Sequence, residues 1–568
     1  MSKNKVSIEK LFNQKKYDEL INVIENKIEK KDKTSQLLNI LGVCKLLKIP
    51  VSKDNFIEAI NVFKEAYVKE RINTHTIGAF NNFINSSVNL FDMDSSERNR
   101  SFCKKNFYEA INFFEKNSKF FNNNKIILLA ITRIYKRFAD IDKIILNLEK
   151  VMNIENNDPL ILCSYIYHNS FKNVWKQKNF LETSNKLNEK FETFSDNDLV
   201  PIKKNTSNKI KIGILSSDIK GNHVVNNFLK SILEYYDKNK FDLSLFLNID
   251  AKKHDETTMA FNQLVSNNYI INNLNDVDAI NFIRKQKIDV MIDTMGLLSQ
   301  NRLGLYKNRI AQIQINWCGY CNTVGIKEMD FIFVDKNLIH SNEKHLYSEK
   351  IVYLPDIWNA HSGFKQVRKK YSPPFIKKKN ITFGSFNNFS KISDKNIEVW
   401  SNILKKNKGS KLILKSGSPR DTETLFEKFK KYDVPDSIEF RTKIKSFEEH
   451  LDLYQEIDLS LDTFPYNGVT TSFESLWMGV PVLTMKGFNF NSRCGESINI
   501  NLGMQKLVAK NSFDYIDKAS YYATNTDKLL DLRNEVYKKL SNTPLFDSKK
   551  FSINFYKSIQ KIYKDKFN

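Results

Sequence analysis

No run of about 18 apolar residues, the length that crosses a bilayer, occurs in this sequence of 568 residues. Its start, MSKNKVSIEKLFNQKK, has no apolar core of the kind a secretory signal needs. Both absences lead to the expectation of a cytoplasmic protein without a membrane span. Proline and glycine are scarce, 11 and 17 residues against 42 Phe and 23 Tyr, which excludes a fibrous repeat and a disordered chain. Cysteine is scarcer still, with six residues scattered at 44, 103, 163, 318, 321 and 494, too few for a disulfide scaffold of this size. Cys318 and Cys321 form a lone C-x-x-C in QINWCGYCNT; with no second pair to complete four ligands, zinc or redox chemistry is not expected there.

What is present is globular: 41% hydrophobic, 12% aromatic and 27% charged residues, in a chain long enough for three or four domains. The formal net charge of +23 raises the question of nucleic acid. The lysines, however, are interleaved with Asn and Ile along the whole chain, and no nucleic-acid motif accompanies them. A solvated basic surface is the reading we take, with no nucleic acid as partner; attraction to acidic acceptor proteins stays open.

An internal repeat occupies the first third. Tyr17-Asp-Glu19-Leu-Ile21-Asn22, Phe56-Ile-Glu58-Ala-Ile60-Asn61 and Phe107-Tyr-Glu109-Ala-Ile111-Asn112 share one pattern. Each should open an amphipathic helix with one buried stripe. Pro159, after NND, suits the first turn of a further helix. The pattern resembles tetratricopeptide repeats, although the units lie 39 and 51 residues apart against about 34 in a standard unit. Stacked helix pairs present a concave face suited to a protein acceptor.

Near residue 205 the texture changes. Short β-rich runs at 209–218, 241–250, 287–296, 312–317 and 329–335 alternate with helical stretches, as in a parallel sheet with crossover helices. QVRKKYSPPFIKKKN (366–380) reads as a linker, and a second series follows at 381–387, 411–417, 437–444, 457–464 and 480–485. The expected architecture is therefore a helical repeat domain (1–200), a first Rossmann-like lobe (205–365), the linker (366–380), a second Rossmann-like lobe (381–540) and a C-terminal helix (541–568) packing back on the lobes. Two such lobes in tandem form the GT-B arrangement, which binds ligands beyond the carboxyl ends of its strands.

The segment IDLSLDTFPYNGVTTSFESLWMGVPVLTM is the most informative. A buried strand runs to Asp462, and a loop containing Gly468 leads into a helix starting near Thr470 and Thr471. Thr471 and Glu474 have capping-box spacing. A helix start offers free N–H groups and partial positive charge to a diphosphate; Gly468 would let phosphate approach the backbone, and Glu474 could accept from ribose hydroxyls. The same residues would also make an ordinary capped helix packed on a sheet.

FGSFNNFSKIS (383–393), the EEH of SFEEHLDLY (446–454), LDTFPYNGVTTSFESLWMGVP (461–481) and TPLFDSKKF (543–551) resemble the catalytic region of O-GlcNAc transferases and SPINDLY-type O-fucosyltransferases, glycosyltransferase family 41. SSDIKGNH (216–223) and Q-x-x-W-x-G-Y (314–320) are similar to first-lobe segments of that family. The likeness runs in order from about 205 to 560. It implies that Lys391 holds the donor diphosphate and neutralises charge growing on the leaving nucleotide. It implies that Asn387 and Asn388 line the donor pocket, that His450 contacts the nucleotide, that Thr470 and Thr471 bind phosphate, and that Glu474 meets the ribose. His223 it places in the active site, without deciding whether this imidazole is the base.

Three positions depart from the family pattern. Val469 stands where O-GlcNAc transferases carry a histidine, which leans towards the SPINDLY side and leaves donor base and sugar open. One extra residue separates Asp218 from His223, and Leu297 replaces a frequent histidine. The resemblance implies inverting transfer from a nucleotide sugar to a Ser or Thr hydroxyl of a protein. No cofactor is expected: acidic D-x-D ligands are missing beside the donor motifs, in keeping with a lysine in the role of a metal cation. UDP-GlcNAc is the first-choice donor and GDP-fucose the second. The rivals are transfer to asparagine or flagellar protein, and a non-catalytic repeat scaffold.

Overall fold

The computed structural model describes residues 8–29, 33–93, 96–364, 368, 370–415, 419–442, 444 and 446–567. Gln366, Val367 and Lys369 of the expected linker lie outside them. Among the described residues, no helix is long and apolar enough to cross a membrane. The chain forms two compact units, Met1–Ile161 and Leu162–Asn568.

Among its described residues the regular elements of the first unit are all helices, the major ones being Tyr17–Glu29, Ser35–Leu47, Lys53–Lys69, Thr74–Met93, Glu97–Lys116, Lys125–Arg137 and Ile141–Ile154. Thr34, Ser52 and Asn124 cap three of them, their side chains accepting from the amides of Leu37, Asn55 and Ile127. The stripes meet in a core of Phe63, Phe80, Phe83, Phe107 and Phe121. Ala59 and Ala110 are fully buried, and at Gly42 an added Cβ would sit 2.4 Å from the Phe63 ring. Of the three repeat motifs only Tyr17 opens its helix; Phe56 is the fourth residue of Lys53–Lys69, and Phe107 lies midway along Glu97–Lys116. The apolar period fixes a face, but the capping residue fixes the start. Pro159 does begin a helix, Pro159–Asn169.

Residues 162–200, which the sequence pattern grouped with the helical array, belong to the second unit. Gln177 donates to Asn322 Oδ1 at 2.8 Å, and Arg284 donates to the Val200 carbonyl at 2.7 Å. An amphipathic helix reads the same whichever surface it covers.

Among its described residues the second unit holds two wholly parallel sheets. Strands β1 (Ile210–Ser216), β2 (Phe241–Leu247), β3 (Asn267–Ile270), β4 (Val290–Asp293), β5 (Ile313–Asn316), β6 (Phe331–Val334) and β7 (Lys350–Tyr353) run in the order 3-2-1-4-5-6-7. Strands β8 (Thr382–Ser385), β9 (Lys411–Lys415), β10 (Ile438–Arg441), β11 (Leu459–Leu461), β12 (Val482–Met485) and β13 (Val508–Ala509) run 10-9-8-11-12-13. Strands β3, β7 and β13 were not anticipated. Each is a short edge strand, and an edge needs no continuous apolar run.

The strand order reverses between β1 and β4 in one sheet and between β8 and β11 in the other. Those switch points are where doubly wound sheets open a crevice for ligands. The terminal helix Ser548–Phe567 packs on the first lobe: Tyr556 donates to the Ile232 carbonyl at 3.1 Å, and Phe555 lies against Trp317.

Candidate active site

Eight of the nine candidate residues lie in the second lobe, seven in the segments that follow the switch-point strands β8 and β11 and His450 in the helix Phe447–Asp452. Strand β8 is buried throughout and delivers Asn387 and Asn388 to its carboxyl end. Asn388 is exposed and accepts from the Ser390 amide at 2.9 Å, capping the turn Phe389–Lys391. Its Oδ1 thus shapes the turn that carries Lys391. Asn387 is buried and accepts from Thr471 Oγ1 at 2.8 Å.

Lys391 is half-buried. Its ammonium donates to the Asn467 carbonyl at 2.8 Å and lies 4.5 Å from the centre of the Tyr466 ring. Phe171 stacks on Tyr466 at 5.0 Å. Dense packing pushes the Lys391 pKa down, and the charge of Asp462 is the chief opposing influence.

Asp462, at the carboxyl end of β11, organises the loop that follows. It accepts from the amides of Gly468 (2.7 Å) and Thr463 (2.9 Å) and from Thr484 Oγ1 (2.7 Å). Burial raises its pKa to about 6. The Gly468 amide is therefore committed to Asp462 and is not a free phosphate donor. Position 468 still requires glycine: an added Cβ would lie 2.5 Å from Thr471 Oγ1 and 2.6 Å from Asn387 Oδ1.

The helix Thr470–Trp477 follows, with Val469 as N-cap and no side-chain cap. The expected Thr471–Glu474 capping box does not form, because both side chains have stronger claims elsewhere. Thr471 turns to Asn387, while the buried Glu474 carboxylate meets His450 Nε2 at 2.8 Å and accepts from Tyr454 at 3.0 Å. Tyr454 also donates to the Thr471 carbonyl at 3.1 Å. His450 is 6% exposed, and its Nδ1 is buried with no hydrogen-bond partner. Among the described residues, no protein acceptor meets the amides of Thr470 and Thr471. They belong to a helix start three residues after the carbonyl that holds Lys391, so the ammonium is tied to the loop that leads into these amides.

His223 stands apart on the first lobe, in the loop after β1. Its Nε2 lies 3.6 Å from Asp218 Oδ1, and its Nδ1 is buried with no hydrogen-bond partner. Burial raises the Asp218 pKa, with His223 opposing.

The two lobes are fastened beside this site. Arg493 makes a two-pronged contact with Glu343 at 2.5 and 2.8 Å, and Ser497 donates to Asp335 at 2.6 Å. Cys318 and Cys321 are buried free thiols. Among the described residues, no cluster of three or more His, Cys, Asp or Glu could hold a metal ion. Sequence reasoning missed Asp462, Tyr454 and Tyr466 as working parts of the site. The first two carried a signal in their spacing, just after β11 and four residues past His450.

The family model described as Glycosyl transferase family 41 matches residues 189–367 and 360–555. The chain belongs to glycosyltransferase family 41. Among its family 41 relatives is a Petunia hybrida protein named "Probable UDP-N-acetylglucosamine--peptide N-acetylglucosaminyltransferase SPINDLY", 30% identical over 373 residues, or 64% of this chain and 40% of that protein. The Arabidopsis thaliana protein of the same description named SEC is 27% identical over 378 residues, 64% of this chain and 38% of its own. The chain thus spans about two fifths of the length of the curated relatives it matches. A mutant of Thermobaculum terrenum O-GlcNAc transferase has the same fold over 100% of this chain and 99% of its own, with a TM-score of 0.79 at 18% identity.

Proposed function

We propose that this family 41 protein is an inverting glycosyltransferase that moves a sugar from a nucleotide donor onto a Ser or Thr hydroxyl of a protein. The hydroxyl attacks the anomeric carbon, positive charge develops on the sugar, and the diphosphate leaves with its negative charge. Lys391 and the amides of Thr470 and Thr471 stabilise that departing charge, so a fixed ammonium does the work of a metal cation. The observation that carries the reading is the Lys391–Asn467 hydrogen bond, which ties the cation to the loop preceding those amides. Glu474, held by His450 and Tyr454, has an oxygen left for the ribose. His223 is the candidate to orient or deprotonate the acceptor hydroxyl. The helical unit would recruit the acceptor protein.

The donor is UDP-GlcNAc in this reading, as the names of the relatives suggest. One observation favours GDP-fucose as a second: Val469, at the helix N-cap, offers no side-chain hydrogen bond to a nucleotide. A transfer assay with UDP-GlcNAc and GDP-fucose on a peptide library, with Lys391→Ala alongside wild type, tests both. Transfer from neither donor, or equal transfer by the variant, would overturn the reading.

A further inference from the structure

A cavity of about 300 Å³ opens in the second lobe between Lys370–Ile376, the turn Met478–Gly479 and the helix Thr526–Lys539. Its size is that of a small-molecule site. It adjoins the carboxyl end of Thr470–Trp477, whose first turn, about 12 Å away along the axis, belongs to the donor cradle.

Arg533 forms part of its wall and is 5% exposed. Nη1 donates to the carbonyls of Ile457 (3.1 Å) and Asp458 (2.9 Å), while Nε and Nη2 meet no acceptor among the described residues. Of five guanidinium N–H groups, three are thus uncommitted, and the charge that offsets the cation is the Asp458 carboxylate. The nearby Asp458 carboxylate is engaged with the amides of Phe375 (3.1 Å) and Thr382 (2.8 Å).

Among the described residues no carboxylate lines the cavity, whereas Lys370 does, and Arg368 lies 4.4 Å from the centre of the Tyr537 ring. Ser372 and Asn534 are polar members of the remaining wall, which is otherwise largely apolar, with Tyr371, Tyr537, Leu530 and Met478. Gly479, at φ +75°, has no atom within 4 Å of where a Cβ would point, so that side is open.

We infer that this cavity binds a small anion on a flat apolar body, an aryl phosphate or aryl carboxylate, with its charge on Arg533 and its ring against Tyr371 and Tyr537. The inference stands independently of the donor assignment. Isothermal titration of the full chain with phenyl phosphate and with benzoate tests it, with excess UDP or GDP present to occupy the donor cradle. Saturable binding of at least one probe is expected, with phenol binding at least about tenfold more weakly. Arg533→Gln should weaken binding about tenfold, equivalent to about 1.4 kcal/mol. Leu530→Trp, whose indole fills the space, should abolish it while thermal unfolding shows an intact fold. If Arg533→Gln does not fold, the Leu530→Trp result decides. No heat from either probe at millimolar concentration, undiminished binding in Leu530→Trp, or loss of binding on adding nucleotide would overturn the inference.

Discussion

The Lys391 ammonium donates to the Asn467 carbonyl at 2.8 Å, so the cation and the helix start at Thr470 share one mooring. Asp462 holds the other side of the same loop through the Gly468 amide.

From that contact follows the first prediction. Lys391→Ala should lower kcat by about 100- to 1000-fold, the usual loss of one preorganised charge-stabilising donor. The fold should persist, since the lysine is half-buried and its removal leaves one carbonyl to solvent. Single-turnover transfer and a thermal melt would check both halves. Unchanged turnover would remove Lys391 from the mechanism.

Tyr454 positions Glu474 without reaching the reacting atoms. Tyr454→Phe deletes the hydroxyl whose single proton is shared between Glu474 and the Thr471 carbonyl, a contribution of about 1 kcal/mol. The donor KM should rise several-fold with a smaller change in kcat. Steady-state kinetics would show it, and a fall confined to kcat would contradict the positioning role.

Gly468→Ala forces a methyl within 2.5 Å of Thr471 Oγ1 and 3.1 Å of Asp462 Oδ1. Backbone and side chains must both shift, which overpacking places at about 1–3 kcal/mol. Nucleotide binding should drop along with the melting temperature, and both can be read from one thermal-shift series with UDP and GDP.

Asp335 supplies a pH dependence. It is fully buried, accepts from Ser497 Oγ, and burial raises its pKa to about 6 from an ordinary 3.8. The native state therefore holds this proton longer than the unfolded chain does. Its contribution to stability is complete below pH 3.8 and is lost as pH rises to about 6, a change on the order of 2–3 kcal/mol. Asp335→Asn should flatten that segment of the stability-pH curve. An identical slope in wild type and variant would show that Asp335 does not titrate there.

Much of the donor cradle was legible because its parts lie close in sequence. Asp462, Gly468, Thr470, Thr471 and Glu474 follow one another from a buried strand to a helix, and a strand–loop–helix connection can be read from apolar runs and a glycine. Less legible was what each side chain would touch. The spacing of Thr471 and Glu474 suits a capping box, yet Asn387 lies within reach of one and His450 of the other. Asn388 carried the same ambiguity, since an asparagine after a strand can line a pocket or cap a turn.

By itself, then, the amino-acid order determined the helical array, the two parallel sheets and the segments that build the site, because periodicity and turn chemistry act over a few residues. Tertiary structure alone decided that 162–200 joins the α/β unit, that Gly468 is committed to Asp462, and that Lys391 meets Asn467. Those outcomes depend on which groups from distant segments arrive within hydrogen-bond range of a buried atom. Local sequence contains no record of that competition.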